Sequence, residues 1–319
     1  MPLPTKDLLG ILADNLTKRG SVLPIPKRNF VRWADGLNLP KGGETVLYTG
    51  HMYQLIPVID AMAGQMAKLE DSPVTKMMGL GRTVNKFVNM TAFMSLTASK
   101  ASQKDYDEML RKIAGLLKKA GVEFGYLYGE EMYSGALVYD EGVDSAFAKH
   151  ARRVADMLKK NGVRKVVTVD PHTTHTLRTA YPKFLPDFDV EVKSYLEVLA
   201  EAGLEAKTRL GGELTLHDSC VYARQEGVVE QPRQLLEKAG VTVKDPGVDC
   251  KTNTHCCGGP IESLFPAESH RIAGHRVEQL KATGCEIATM CPICLVGLRK
   301  AAGAALKIND LSETLSKAF

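Results

Sequence analysis

All seven cysteines of this 319-residue chain fall in its last 100 residues, and their spacing constrains the fold more than any other feature. Cys220, Cys256, Cys257, Cys291 and Cys294 form the pattern Cys-x35-Cys-Cys-x33-Cys-x-x-Cys, leaving Cys250 and Cys285 outside it. A secreted disulfide scaffold is short and spreads its cysteines. Clustered Cys-Cys and Cys-x-x-Cys read instead as a metal site. The first residues, Met1-Pro2-Leu3-Pro4-Thr5-Lys6-Asp7, lack a leader's charged-then-apolar order, so a cytoplasmic protein is expected, with association to a membrane-bound complex still open.

The rest of the chain alternates strand-like and helical runs. Thr45-Val46-Leu47-Tyr48 leads into a helical pattern from Met52, and Val122 to Leu127 and Val166 to Val169 are short β-branched runs, each behind an amphipathic helix. That order predicts an α/β fold with parallel sheets flanked by helices. It is also written twice. Leu116 to Val122 reappears as Leu235 to Val241. Asp170-Pro171-His172-Thr173 with Leu177-Arg178 reappears as Cys291-Pro292-Ile293-Cys294 with Leu298-Arg299. Gly50-His51-Met52-Tyr53 matches Ser219-Cys220-Val221-Tyr222, and Tyr133-Ser134-Gly135 matches Cys256-Cys257-Gly258. Four matches in one order argue for a duplicated domain. The expected parts are an N-terminal helical extension over 1–43, a first domain over 44–203 and a second over 204–319. The extension presents Leu8, Ile11, Leu12 and Leu16 on one face; the first domain carries an insertion at about 68–103.

Turns at the carboxyl ends of parallel strands share one edge of a sheet, where ligands bind. The five patterned cysteines are expected to meet there. Side chains of adjacent residues diverge, so Cys256 and Cys257 suit different irons of a cluster better than one small ion. Zinc, the rival, takes four tetrahedral ligands. Gly258 and Gly259 allow close backbone approach. Pro292 suits a first helical position, aiming N–H groups and a positive dipole at negative charge. Cys250 and Cys285 are expected to be ordinary small hydrophobes. His217 and His255 flank the cysteines; each could donate an N–H to sulfur, with ordinary polar packing the commoner role. Arg224 is either a charge partner of the site or a solvated surface residue.

This motif, with His217-Asp218-Ser219-Cys220 before it and Cys-Cys-Gly-Gly at its centre, resembles the cysteine-rich CCG domain of heterodisulfide reductase, in its B-type subunit, and of related redox subunits. The resemblance runs from about Glu44 to the end. It also takes in Arg224 and Gly227, then Pro232-Arg233. It implies one non-cubane [4Fe–4S] cluster held by Cys220, Cys256, Cys257, Cys291 and Cys294, with Gly258 and Arg224 beside it.

The first half departs from that pattern, offering His51, Tyr133, Ser134, Asp170 and Thr173 at corresponding positions. It is expected to bind no cluster. Its replacements are expected to form a hydrogen-bonded plug in which Asp170 accepts from Tyr133 or His51. The alternative is a metal or proton site of Asp170, His172, His175 and His51. The insertion, with Met77, Met78, Met90 and Met94, is either core or a docking surface.

Other classes fit poorly. The net charge of +4 comes from interleaved Lys, Arg and acids without an aromatic-flanked basic tract, so nucleic acid is not expected. The apolar stretch Met77 to Leu96 contains Arg82 and Lys86 and does not make a bilayer span. No Gly-x-Gly-x-x-Gly fingerprint of a flavin or nicotinamide site is present. The expected function is electron transfer as one subunit of a larger redox complex. Its partners would be flavin or iron–sulfur subunits; reduction of a thiol-derived disulfide or persulfide at the cluster is the alternative.

Overall fold

The computed structural model describes residues 5–69 and 98–319. Most of the methionine-bearing insertion lies outside them, and so do both readings of it. The β-branched runs form strands where apolar side chains are buried on both faces, as parallel sheets covered by helices require. In the first half β1 (Thr45–Tyr48), β2 (Lys165–Thr168) and β3 (Glu191–Ser194) lie in the order β1-β2-β3, all parallel, with Thr45 opposite Lys165 and Lys165 opposite Glu191. In the second half β4 (Glu213–His217), β5 (Thr242–Val243), β6 (Glu286–Thr289) and β7 (Ile308–Asp310) lie in the order β5-β4-β6-β7, again all parallel. Register places His217 beside Thr289, so the loops after β4 and β6 leave the sheet side by side.

The internal repeat is carried into detail. Arg178 donates Nε–H to the Val192 carbonyl at 2.9 Å, and Arg299 donates Nε–H to the Ile308 carbonyl at 2.7 Å. Each partner strand ends in a capping box, Ser194 with Glu197 and Asp310 with Glu313. Gly135 and Gly258 sit at φ +93° and +79°, each opening a short helical turn.

One expected strand differs, and its counterpart in the second half is short. Val122 to Leu127 is not a strand among the described residues; Gly125 and Tyr126 make only isolated parallel bridges to Val46 and Lys41. The cause is a close crossing. A Cβ on Gly125 would lie 1.7 Å from the Gly42 carbonyl oxygen, so the chain passes under the preceding segment instead of extending along the sheet. Its counterpart β5 has two residues, and twelve more separate it from Cys256, so Cys256-Cys257 sits on a long loop and does not directly follow a strand.

The amphipathic helix Lys100–Lys119 buries Met109, Leu110, Ile113 and Leu117. They join a core that continues into the second half through Leu311, Leu315 and Phe319. Each such side chain contributes about 1.5–3 kcal/mol when fully buried. Tyr53 donates to Asp310 Oδ2 at 2.8 Å across the same junction. The carboxyl-end loops of both sheets meet here too. His175 Nδ1 lies 2.6 Å from Glu226 Oε1, Thr179 donates to the same oxygen at 2.9 Å, and Thr174 Oγ1 lies 3.3 Å from Tyr222 Oη. No helix among the described residues is long and apolar enough to cross a membrane.

Candidate metal centre

Three segments bring thiols to the carboxyl edge of the second sheet. Cys220 is carried by the turn after β4. Cys291 is the N-cap of the helix Pro292–Ala302 that follows β6, and Cys294 lies in its first turn. Cys256-Cys257 arrives on the loop after β5. Side-chain contacts link the five in one chain, Cys220 to Cys256, Cys256 to Cys257, Cys257 to Cys294 and Cys294 to Cys291. Cys257, Cys291 and Cys294 are buried, whereas Cys220 and Cys256 are half-buried. Cys250 and Cys285 stand apart. Cys250 Sγ faces the Gly247 carbonyl at 3.5 Å, and Cys285 lies just before β6, at the opposite end of the strand that delivers Cys291.

Packed thiols compete for protons. Hydrogen bonds from Cys220 and then Cys257 hold Cys256 far below the ordinary thiol range. Burial raises Cys291, yet hydrogen bonds from Cys294 and His172 bring it well below that range. Contact with Cys256 pushes Cys220 and Cys257 up instead. Cys256 and Cys291 are thereby biased toward thiolate, the form that binds metal.

The backbone is shaped around this sulfur. A Cβ on Gly259 would lie 2.2 Å from Ile293 Cγ2 and 3.4 Å from Cys257 Sγ, and one on Gly258 would lie 2.6 Å from the Ser269 carbonyl oxygen. The Gly258 N–H reaches Cys256 Sγ at 3.3 Å. Asp218 ties two of the loops together. It takes both terminal nitrogens of Arg233, at 2.7 and 2.9 Å, and the Lys251 N–H at 2.7 Å; its carbonyl accepts from Thr254 Oγ1 at 2.9 Å.

A ring nitrogen of His217, Cys257 Sγ and Cys294 Sγ all lie within 4.8 Å of one another. Burial, then the charge of Arg276, lowers the His217 pKa to about 3, so its ring is neutral. His255 instead hydrogen-bonds Gln279 at 2.8 Å and pairs with Asp249 at 3.4 Å. Arg224 is exposed with no ion pair among the described residues. It lines a pocket of about 330 Å³ with Thr254, His255, Cys256, Arg271, Ile272 and His275.

The first half contributes a group that sequence reasoning assigned elsewhere. His172 does not join Asp170, His175 and His51 in a ligand set. Its Nδ1 lies 3.1 Å from Asp140 Oδ2, and its ring faces Cys291 across the junction. Burial lowers its pKa, but Asp140 and Cys291 more than offset that and raise it well above the ordinary value. His175 is spent on Glu226.

The expected plug is also corrected. Asp170 Oδ1 caps its own helix by accepting the Thr173 N–H at 2.9 Å, and the Tyr133 hydroxyl accepts the Leu137 N–H at 2.9 Å. His51 stacks on Phe30 with centroids 3.9 Å apart. Among the described residues neither ring nitrogen of His51 has a hydrogen-bond partner, nor do Asp170 Oδ2 and Thr173 Oγ1. Asp170 thus bonds its neighbour Thr173, and among the described residues no hydrogen bond joins it to Tyr133 or His51. The packing here is tight, since a Cβ on Gly50 would fall 2.2 Å from Thr173 Oγ1.

Fold and site together define a duplicated parallel α/β protein with a thiol-lined centre in one half only. The cysteine-rich domain family, CCG, matches residues 97–178 and 214–299, more than half of the chain, and the chain belongs to that family. It is 29% identical over 312 residues to "EtfAB:quinone oxidoreductase" of Syntrophomonas wolfei, covering 92% of this chain and 43% of that protein. It is 33% identical over 232 residues to "Probable iron-sulfur-binding oxidoreductase FadF" of Bacillus subtilis, covering 68% and 33%. It is 28% identical over 226 residues to a subunit of the dihydromethanophenazine:CoB–CoM heterodisulfide reductase of Methanosarcina mazei, covering 65% and 54%. The chain therefore spans between about a third and about half the length of these relatives.

Proposed function

We propose that Cys220, Cys256, Cys257, Cys291 and Cys294 hold one non-cubane [4Fe–4S] cluster, and that the chain passes electrons as a subunit of a heterodisulfide reductase-like redox assembly. The observation that carries this is the unbroken chain of five thiols at one sheet edge. The donor set fits. It holds one more thiol than a tetrahedral ion takes, two of them on adjacent residues, beside glycines that a Cβ would crowd. When bound, the cluster supplies a site for one-electron transfer. The protein's part is to neutralise and shield it. The N-terminus of the helix Pro292–Ala302 and the Gly258 N–H offset thiolate charge. Buried Cys257, Cys291 and Cys294 keep water from one side.

Relatives named as oxidoreductases and as part of a heterodisulfide reductase support a partnered role, in which flavin or iron–sulfur subunits give and take the electrons. Anaerobic purification followed by iron, sulfide and visible-absorption measurements tests the cluster. A brown protein with about four irons per chain supports it; a colourless zinc protein refutes it.

One observation favours a second reading, reduction of a thiol-derived disulfide or persulfide at the cluster. The pocket of about 330 Å³ opens on half-buried Cys256 and is lined by Arg224 and Arg271. Sustained disulfide turnover by the reduced chain supports that reading, and its absence under electron supply from a partner refutes it.

A further inference from the structure

His217 ends β4 fully buried, and its two ring nitrogens face different neighbours. On one side Arg276 directs its Nε–H at His217 Nδ1 at 3.2 Å. Arg276 is itself fully buried and held on three further acceptors, the Asp249 carbonyl at 2.8 Å, Gln279 Oε1 at 3.0 Å and Thr254 Oγ1 at 3.3 Å. On the other side His217 Nε2 has no hydrogen-bond partner among the described residues, and a ring nitrogen of His217 lies within 4.8 Å of Cys257 Sγ and Cys294 Sγ.

A guanidinium has only hydrogens to offer, so a ring nitrogen receiving one must present its lone pair. Nδ1 therefore carries no hydrogen, and the imidazole hydrogen sits on Nε2. A nitrogen carrying hydrogen has no lone pair for iron. We infer that Arg276 fixes His217 in the Nε2–H tautomer, and that His217 donates this hydrogen to sulfur at the cluster edge held by Cys257 and Cys294, without ligating iron. The inference rests on the cluster reading above. His217 and Arg276 are then positioning residues. A hydrogen bond to cluster sulfur favours the more negative, reduced state and so raises the reduction potential.

The test uses the anaerobically purified full chain with its cluster and 15N-labelled histidine. Pulsed electron paramagnetic resonance on the one-electron paramagnetic state is recorded in H2O and in D2O. The expected result is a weakly coupled 15N together with an exchangeable hydrogen near the cluster, both lost from the His217→Leu spectrum over whatever His172 and the Gly258 N–H contribute, and the hydrogen restored in His217→Gln. The potential of His217→Leu shifts to more negative values. Arg276→Gln shifts it the same way and adds nothing in the double variant, because Arg276 acts through His217. If either variant fails to fold, the spectrum of His172→Gln, which removes the other buried histidine beside the cysteines, still decides. A 15N coupling as strong as a directly bonded ligand's overturns the inference, as does an iron-loaded wild type without any histidine coupling. Wild-type protein without iron overturns the cluster reading and this inference with it.

Discussion

Asp218 and Arg233 form a two-pronged ion pair, at 2.7 and 2.9 Å, with the Asp218 side chain 1% exposed and that of Arg233 12%. Through Lys251 N–H and Thr254 Oγ1, Asp218 also fastens the loop that carries Cys256. Arg233 keeps a second partner, Asp245 Oδ1 at 2.8 Å, so loss of the Asp218 charge costs less than the roughly 3–5 kcal/mol of a fully stranded buried charge. Asp218→Asn is expected to lower the urea midpoint and to release iron faster to a chelator. An unchanged midpoint and release rate would show that the loops are held by other contacts.

Cys→Ser at Cys256, Cys257 or Cys291 is expected to destroy or convert the cluster, because each sits inside the linked set of thiols. Cys250→Ser and Cys285→Ser are expected to leave it intact, since both lie outside that set. Iron content and visible absorption of each anaerobically purified variant check this. Loss of iron in Cys250→Ser would contradict the ligand set.

The two glycines after Cys257 are crowded for different reasons, and the difference is measurable. A Cβ on Gly259 meets the tip of one side chain, Ile293 Cγ2, at 2.2 Å, whereas a Cβ on Gly258 meets the Ser269 backbone oxygen at 2.6 Å. Gly258 also sits at φ +79°, where a side chain is strained. Both alanine variants are expected to lose iron and about 1–3 kcal/mol of stability, the usual cost of overpacking. Adding Ile293→Ala should restore Gly259→Ala and leave Gly258→Ala impaired. Equal rescue of both, read from iron content and unfolding midpoints, would contradict the crowding argument.

Acid stability should report the buried histidines of the first half. Burial, then the charge of His150, lowers the His51 pKa from 6.5 to about 3. The folded ring stays neutral where the unfolded one takes a proton, so its contribution is lost as pH falls from about 6.5 toward 3. His51→Asn loses the Phe30 stack and is expected to be less stable at pH about 7.5. Its deficit should then narrow below about pH 6.5, by at most about 1.4 kcal/mol per pH unit. Urea midpoints of both proteins at several pH values between roughly 7.5 and 5.5 decide it. Parallel curves would show that His51 takes up a proton in the folded state.

Strands, duplication and the gathering of thiols were legible because each rests on local pattern. Thr45 to Tyr48 is β-branched and apolar, and it became β1 over those residues. The repeated Leu-Arg pairs became Arg178 and Arg299 in matching contacts. What escaped is what depends on distance through space. Nothing near Cys291 in the chain announces His172, which lies more than 100 positions earlier. Arg276 is one of five basic or histidine residues between His270 and Lys281, and only burial separates it from the others. Val122 to Leu127 has strand composition, yet a backbone crossing at Gly125 decides its course. Asp170 was assigned to a long-range bond, whereas the nearer Thr173 N–H takes it. Capping costs little chain entropy, so the local partner wins.

The central claim is that one half of a duplicated fold holds a cluster and the other does not. Iron and acid-labile sulfide per chain, measured on anaerobically purified wild-type protein, test it most directly. The expected result is about four irons with a matching amount of sulfide, the content of a single [4Fe–4S] cluster. A value near eight irons would place a second cluster among His51, Tyr133, Ser134, Asp170 and Thr173, and would contradict the argument from lost thiolates.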